Sequence, residues 1–391
     1  MLKRTRSFLV LVMLLMTVTM SAQVTTATMS GKVTAQDEPI IGATIVAIHE
    51  PSGTRYGTVT NVSGQFNLQG MRTGGPYKVE ISYVGYQTAI YKGINLLLGE
   101  NYVLNVSLKE SSELLDEVVV TASKESNMKS DRAGAIMNAN RDMISNTPTI
   151  SRSISDIMRL SPQGADVGNG FAVGGGNYRQ SFVTVDGAAF NNTFGLGGNL
   201  PANGSPISLD ALEQVTVAVT PFDVRQSGFT GGAINAVTRS GDNQFRGTAY
   251  MYFNNENLKG SKVDDYELLR SKAQYYTYGA SFGGPIIKDK LFFFVNGEYE
   301  DNVTAGSNYR PRTALGESYS GGNIHRPLQS DMDDMRGFLL NKYNFDPGKY
   351  NDYSTDTPAY RVMARVDWNA NQNNKVSFRF KIGRASCRER V

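Results

Sequence analysis

Cysteine is almost missing from this chain: one residue in 391, Cys387, close to the C-terminus. A disulfide framework is therefore excluded. Only two histidines are present, His49 and His325, with most of the chain between them, so neither a metal cluster nor a Cys/His nucleophile constellation is supported. The glycine runs lack the Gly-Lys-Ser/Thr ending of a phosphate loop, and "GLGGNL" and "GNGFAVGGG" complete no dinucleotide fingerprint. The paired Asp333 and Asp334 lie in a polar stretch, where solvation or a cation contact suits them better than catalysis. Together these absences speak against an enzyme, a cofactor and a metal. Beyond the N-terminus no apolar run approaches the roughly 18 to 20 residues of a membrane helix, so any crossing of a membrane must use strands.

What is abundant fits that. Forty glycines, twenty tyrosines and eighteen phenylalanines against one tryptophan point to a β-rich, turn-rich protein. At the N-terminus Lys3, Arg4 and Arg6 precede the apolar "FLVLVMLLMTVTM" and then Ser21 and Ala22, the layout of a secretory signal over residues 1–22. No cysteine follows it, which argues against lipoprotein processing. At the other end "KIGRASCRERV" breaks the preceding texture. Residues 382–391 can be back-translated as ATCGGAAGAGCGTCGTGTAGGGAAAGAGTG, which is similar to a short-read sequencing adapter. This decapeptide is expected to be foreign to the natural protein, and Cys387 then says nothing about redox chemistry. Discounting both ends turns the formal +3 into a small net negative charge, so nothing favours nucleic acid as a partner.

Four textures follow one another. Residues 24–109 alternate in short runs, with Ile45 and Ala47 against Val46 and Ile48, then Phe66 and Leu68, then Val79, Ile81 and Tyr83. Between them "QDEP", "PSG", "VSG" and "RTGG" are turn chemistry, and six or seven such strands predict a small sandwich. His49, without ligand partners nearby, is expected at a surface or strand edge. Residues 110–123 frame a compact apolar patch, Val118–Val120, behind Asp116 and Glu117. That patch suits either capture by a partner's sheet edge or pairing within the chain.

Residues 124–240 predict a small α+β domain with large Gly/Asn loops. "SISDIMRL" puts Ile154, Ile157, Met158 and Leu160 on one helical face, with Ser153 or Ser155 and Asp156 available as caps. "SFVTVDGAAF" reads as a strand and a turn at Asp186-Gly187, "LDALEQVTVAV" as a helical turn into a strand, and "GFTGGAINAVTRSG" as a strand behind a Gly-rich loop.

Residues 241–381 carry five aromatic, alternating strands. The first spans Phe245 to Phe253; the second presents Tyr276, Tyr278, Ala280 and Phe282; the third presents Leu291, Phe293, Val295 and Gly297. A fourth sets Val362, Ala364, Val366 and Trp368 against Arg361, Met363, Arg365 and Asp367, and a fifth sets Val376, Phe378 and Phe380 against Ser377 and Arg379. Short turns at Pro285–Lys290 and Asn369–Asn374 contrast with long polar excursions from Asn254 to Lys272 and from Asp301 to about Pro358. Dyad alternation with turns on one side and long loops on the other is the pattern of an outer-membrane barrel. A barrel of about 22 strands needs roughly 220 residues for its spans alone, so five strands cannot close one.

Three quoted groups carry a family resemblance. "GATI", "T-x-x-x-G-x-F" (Thr60, Gly64, Phe66) and "VGY" (Val84, Gly85, Tyr86) resemble the carboxypeptidase-regulatory-like domain, which carries no peptidase chemistry. "LDEVVVTA", "NTPTISRSISDIMRLSPQ", "PISLDALEQVTVAVTPFDVRQSGFTGGAINAVTRSGDNQFRGTAY" and "FGGPIIKDKLFFFVNGEYE", in that order, resemble the TonB-dependent outer-membrane receptors, in particular the Oar-like group, and the whole is most similar to Bacteroidetes receptors.

The resemblance implies a mainly β fold: a sandwich, an α+β plug, and the first strands of a transmembrane barrel. It implies that Asp116, Glu117, Val118, Val119, Val120, Thr121 and Ala122 form the TonB box, which pairs as a strand with periplasmic TonB and so with its inner-membrane motor. Val183, Val185, Asp186 and Gly187 correspond to a central plug strand and turn, and Gly231, Gly232, Ile234 and Asn235 to its final strand. It further implies outer-membrane lipid and an extracellular substrate as partners, with energised uptake as the function. Surface attachment or a secretion-linked role on the same architecture is the alternative, and nothing in the loops names the substrate.

Overall fold

A computed structural model of the chain describes residues 25–391 apart from 111–117, 122–135, 150–151, 168–169, 192–199, 201–203, 220–229, 259, 261, 264–265, 268–272, 306–308, 320–323, 351–352, 372–373, 387 and 391. The expected signal segment lies outside the described residues.

The first unit is a two-sheet sandwich. β1 (Ala27–Ala35), β2 (Thr44–His49), β3 (Thr54–Val59), β4 (Gln65–Met71), β5 (Gly74–Ser82) and β6 (Ala89–Leu96) supply its main strands. β1 pairs antiparallel with β4 and parallel with two short strands, Asn101–Val103 and Val106–Ser107. The second sheet has the order β6-β5-β2-β3 and gains a further strand at its β6 end, β7 (Val118–Thr121). Alternation does the sorting: Ile45, Ala47, Phe66, Leu68, Val79 and Ile81 all point into the shared core. Tyr83 does not continue that set, because β5 ends at Ser82 and the tyrosine is exposed.

The second unit is an α+β domain. β8 (Ile136–Asn140), α1 (Arg141–Asn146), α2 (Ile154–Met158), β9 (Phe182–Val185), β10 (Leu212–Ala218) and β11 (Ala233–Thr238) build it, with the sheet order β8-β10-β11-β9 and a short strand, Ala188–Ala189, beyond β9. α2 forms where its spacing predicts, with the Ser153 N–H donating to Asp156 Oδ2 at 3.3 Å, and with Ile154, Ile157 and Met158 buried; Leu160 is exposed. α1 starts at Asn140, whose Oδ1 accepts from the Met143 N–H at 2.9 Å.

The third unit is an antiparallel meander of β12 (Arg246–Asn255), β13 (Gln274–Ile287), β14 (Leu291–Ala305), β15 (Ala359–Asn369) and β16 (Lys375–Ala385), paired in chain order. Each outer strand, β12 and β16, has a single long neighbour among the described residues, so the sheet is open. One face carries Tyr278, Phe282, Val295, Val362, Trp368, Phe378 and Phe380, all exposed, and Phe245, Phe282 and Phe293 cluster on it with ring centroids 5.7 to 6.5 Å apart. The opposite face packs against the α+β domain, and Phe294 and Met363 enter that domain's hydrophobic core.

Two departures from the sequence reading stand out. The long excursion before β15 contains a helix, α3 (Gln329–Tyr343), which closes on Asn344 in the left-handed conformation. Asp333 sits on it and accepts from the Tyr350 hydroxyl at 2.6 Å. β16 also runs past Lys381, where the alternation was expected to stop, and pairs Ile382 with Val362 and Ala385 with Ala359.

Candidate plug lock and coupling strand

The plug turn comes first, because the sequence dictates it. Asp186 and Gly187 have φ of +51° and +80°, the pair of left-handed conformations that a two-residue hairpin needs, and Val185 pairs with Ala188 across it. That geometry aims the Asp186 carboxylate inward. Oδ1 accepts from the Thr238 backbone N–H at 2.9 Å, and Oδ2 from the Thr238 hydroxyl and Lys381 Nζ, both at 2.8 Å. Lys381 also donates to the Val185 carbonyl at 2.7 Å, and Arg379 Nε lies 3.8 Å from Oδ1. Burial by itself raises the Asp186 pKa, but the charges of Lys381, Arg365 and Arg379 outweigh it and hold the carboxyl below its ordinary range. One plug carboxylate thus pins the plug to β16.

A second pin lies on the neighbouring strands. Arg361 of β15 donates from Nη1 to Glu298 Oε1 at 2.8 Å and from Nη2 to Glu300 Oε2 at 2.7 Å, both on β14. Its Nε donates to the Ser205 carbonyl of the plug. The Ser208 hydroxyl donates to Glu298 Oε2 at 2.9 Å, and the Tyr250 hydroxyl of β12 reaches the same oxygen. Plug residues Ser205 and Ser208 are therefore tied to three strands of the wall through one carboxylate–guanidinium cluster. Arg365 extends it, donating to the Thr238 carbonyl and pairing with Asp367 at 2.8 Å. Inward positions for Arg361 and Arg365 follow from sequence alternation; their partners do not, since register across strands decides them.

Gly231, Gly232 and Asn235 hold the final plug strand in place. A Cβ on Gly232 would sit 2.6 Å from Val173 Cγ1 and 3.0 Å from the Ala218 carbonyl, so only glycine fits without displacement; at Gly231 the nearest atoms are 3.4 Å away. Asn235 accepts from the Thr184 hydroxyl at 2.7 Å, linking β11 to β9. Val183, Val185 and Ile234 are core residues beside them.

Of the residues expected to form the TonB box, Val118–Thr121 form β7, while Asp116, Glu117 and Ala122 lie outside the described residues. β7 pairs in parallel with β6, Val118 opposite Ala89 and Thr121 opposite Lys92. Of the two readings open for this patch, the structure contains the pairing within the chain.

The sandwich in turn contacts the plug and the turns of the meander. Arg72 lies 3.6 Å from Asp367 and donates to the Gly241 carbonyl at 3.4 Å; Asn369 donates to Thr54 Oγ1 at 3.0 Å; Lys375 sits 3.1 Å from the Tyr56 ring centroid. The Leu98 N–H donates to Gln214 of the plug at 3.2 Å, and Asn138 of the plug to Glu100 at 2.7 Å. A cavity of about 410 Å³ remains at this three-way junction, lined by Tyr56, Arg72, Arg239, Arg365, Asp367 and Arg379 among others. His49, expected at a surface, is buried there instead. Its Nδ1 is 2.7 Å from the Ser52 hydroxyl and its ring 5.0 Å from that of Tyr77. Burial, helped by Arg72, pushes its pKa down to about 3.

Among the described residues no group of His, Cys, Asp and Glu has the arrangement of a metal site. No described helix is long and apolar enough to cross a membrane, which leaves strands unaddressed.

Comparison with known proteins agrees with these units. Residues 28–109 match the carboxypeptidase regulatory-like domain, and residues 237–388 match an outer membrane beta barrel domain. The chain is 27% identical over 235 residues to the TonB-dependent transporter Oar of Myxococcus xanthus, covering 58% of this chain and 20% of that protein. It is 29% identical over 269 residues to the TonB-dependent receptor SusC of Bacteroides thetaiotaomicron, covering 65% of this chain and 24% of that one. Among solved structures it is similar to the outer membrane transporter YddB from Escherichia coli, at 13% identity and a TM-score of 0.46, over 65% of this chain and 33% of that chain. These relatives are named as transporters and receptors, not enzymes, and the chain spans about a fifth to a quarter of the length of the two curated ones. With a carboxypeptidase regulatory-like sandwich and the strands of an outer membrane beta barrel domain, the chain is similar to part of the TonB-dependent transporters and receptors of the outer membrane.

Proposed function

We propose that the protein to which this chain belongs imports a substrate across the outer membrane, using work delivered by TonB through Asp116–Ala122. The observation that supports this best is how the plug is held. Beside the apolar contact of Phe294 and Met363 with its core, it is held to the wall by ion pairs and hydrogen bonds that include those of Asp186, Ser205 and Ser208. Such contacts can be broken and remade with water inside a lumen, whereas a fully apolar interface would resist both. The outer membrane has no nucleotide pool, so the work must come from the inner membrane through a pulled peptide. Strand addition suits a pulled connection because main-chain hydrogen bonds bear the load whatever the side chains are.

Substrate held at the outer loops makes the coupling segment available, TonB pairs with it, and tension shifts the plug. In the full-length receptor, deletion of Asp116–Ala122 is expected to abolish energised accumulation of a labelled substrate while the protein stays in the outer membrane. Uptake that persisted after the deletion would rule this reading out. The two sequence relatives differ in what their names say, and the substrate class is left to that uptake experiment, run with labelled sugars, peptides and metal chelates in parallel.

A further inference from the structure

We infer that the cavity at the three-way junction is a binding site for a phosphate-class oxyanion, one carrying two or more negative charges, which joins the sandwich to the meander. The cavity lies at the short-turn end of the meander, beside Trp368, Asn369 and Lys375, which is the periplasmic end of an outer-membrane barrel. Its ligand is therefore separate from any substrate held at the long loops.

The balance of charge around the cavity carries the argument. Seven cationic side chains line it against three carboxylates, Glu213, Asp242 and Asp367. Three of the cations are matched: Arg246 lies 3.5 Å from Asp242, and Arg141 and Arg239 share Asp210 at 3.8 and 3.6 Å. The other four are Arg72 of the sandwich, Arg365 of β15, and Lys375 and Arg379 of β16. Asp367 alone among the lining carboxylates pairs with any of these, at 3.6 Å from Arg72 and 2.8 Å from Arg365.

Strand register concentrates the excess. Arg365 and Arg379 are direct partners across β15 and β16, so two guanidiniums stand opposite each other on the inward face. Like charges in that position destabilise a sheet, and the Arg365 side chain is only 6% exposed, which leaves little water to screen them. Asp367 is already engaged, since the Ser377 hydroxyl donates to it as well. Arg379 is served least. Its buried Nε has no hydrogen-bond partner among the described residues, and the carboxylate it approaches, Asp186 at 3.8 Å, already accepts from Thr238 and Lys381.

Guanidinium forks present paired N–H donors at the spacing of oxyanion oxygens. A dianion offsets more of this excess than a carboxylate, whose single charge would satisfy one arginine and leave the next opposed. The volume of about 410 Å³ admits a phosphorylated small molecule as well as the bare ion. Because Arg72 belongs to the sandwich and Arg365 and Arg379 to the meander, an anion held by all three ties the units together and reinforces the direct contact of Asn369 with Thr54. The competing reading is that these arginines face a wet lumen and are screened diffusely by bulk ions.

Calorimetric titration of the full-length receptor in detergent, at fixed ionic strength, separates the two, with inorganic phosphate, glycerol 3-phosphate and acetate as probes. Saturable binding of at least one phosphate probe with a dissociation constant below about 1 mM is expected, with acetate at least about tenfold weaker. Tighter binding of inorganic phosphate would identify a free ion, and tighter binding of glycerol 3-phosphate a phosphorylated metabolite; either supports the site. Arg379→Gln should weaken binding by about tenfold or more, and Arg246→Gln, whose arginine has its own carboxylate, by less than about twofold. Equal losses in the two variants would overturn the proposal in favour of diffuse screening. Acetate binding as tightly as phosphate would overturn it too, and so would the absence of saturable phosphate binding to the native receptor, a result that needs no variant to fold. In the native receptor, bound phosphate should also slow hydrogen exchange at the amides of Arg72, Thr73 and Gly74 relative to sodium chloride of equal ionic strength. Exchange left unchanged by bound phosphate would overturn the joining role.

Discussion

Arg361 and Glu298 face each other across β15 and β14 with Nη1 2.8 Å from Oε1, and their side chains are only 3% and 2% exposed. Glu300 takes the second arm of the same guanidinium. A buried cation between two buried carboxylates is stable only as a set, since either acid left alone would lose its counter-charge at low dielectric. Arg361→Ala in the full-length receptor is expected to destabilise the plug–wall assembly by about 3–5 kcal/mol, read as a fall in the midpoint of thermal unfolding in detergent. The triple variant Glu298→Gln/Glu300→Gln/Arg361→Met should recover most of that loss, because no charge is stranded.

Asp186→Asn tests the other pin with little change of shape, because asparagine tolerates the left-handed φ of the turn. The substitution leaves Lys381 without its carboxylate, and a loss of about 2 kcal/mol is expected. The native acid should also show itself in pH dependence. Its folded pKa lies below its ordinary value of 3.8, so its contribution is complete above about pH 4 and is lost as pH falls through the folded value. Acid titration of plug unfolding should therefore be steeper for the native receptor than for Asp186→Asn below that pH. Parallel curves would show that Asp186 is not the titrating group.

His49 gives a separate pH signal at the sandwich. Its folded pKa of about 3 lies below the ordinary 6.5, so the unfolded chain takes up a proton first as pH falls. Stability of the sandwich is complete above about pH 6.5 and should decline toward pH 3 by up to about 1.4 kcal/mol per unit. Hydrogen exchange at the amides of β2 and β5 measures this directly, and His49→Gln, which keeps a polar group beside Ser52, should flatten the dependence.

Gly232→Val is expected to cost about 1–3 kcal/mol, because the new side chain meets Val173 and the Ala218 carbonyl in a packed part of the plug. The companion Gly231→Ala, with its nearest neighbours at 3.4 Å, should be much milder. Equal losses in thermal unfolding for the two variants would contradict that close packing.

How far the sequence reached depended on how local the determining physics was. The alternation of Val362, Ala364, Val366 and Trp368 against Arg361, Met363, Arg365 and Asp367 was readable because a strand's period is its own, and the structure keeps the two faces as expected. The Asp186-Gly187 turn and the Ser153–Asp156 cap are equally local. α3 escaped because Met335, Phe338, Leu340 and Tyr343 are all exposed and define no buried face, leaving only Asn344 as a stop signal. His49 was misplaced because its burial depends on Tyr77 and on Arg72, which arrive from other strands. The partners of Arg361 and the pairing of β7 with β6 are likewise settled by register between distant segments, which no single stretch records.

β8 is the first described strand after β7, and it lies at the rim of the plug sheet with β10 as its single neighbour there. Its five-residue ladder with β10 is the outermost pairing of that sheet, so a force arriving along the chain at Ile136 would open a rim ladder before any central strand feels it.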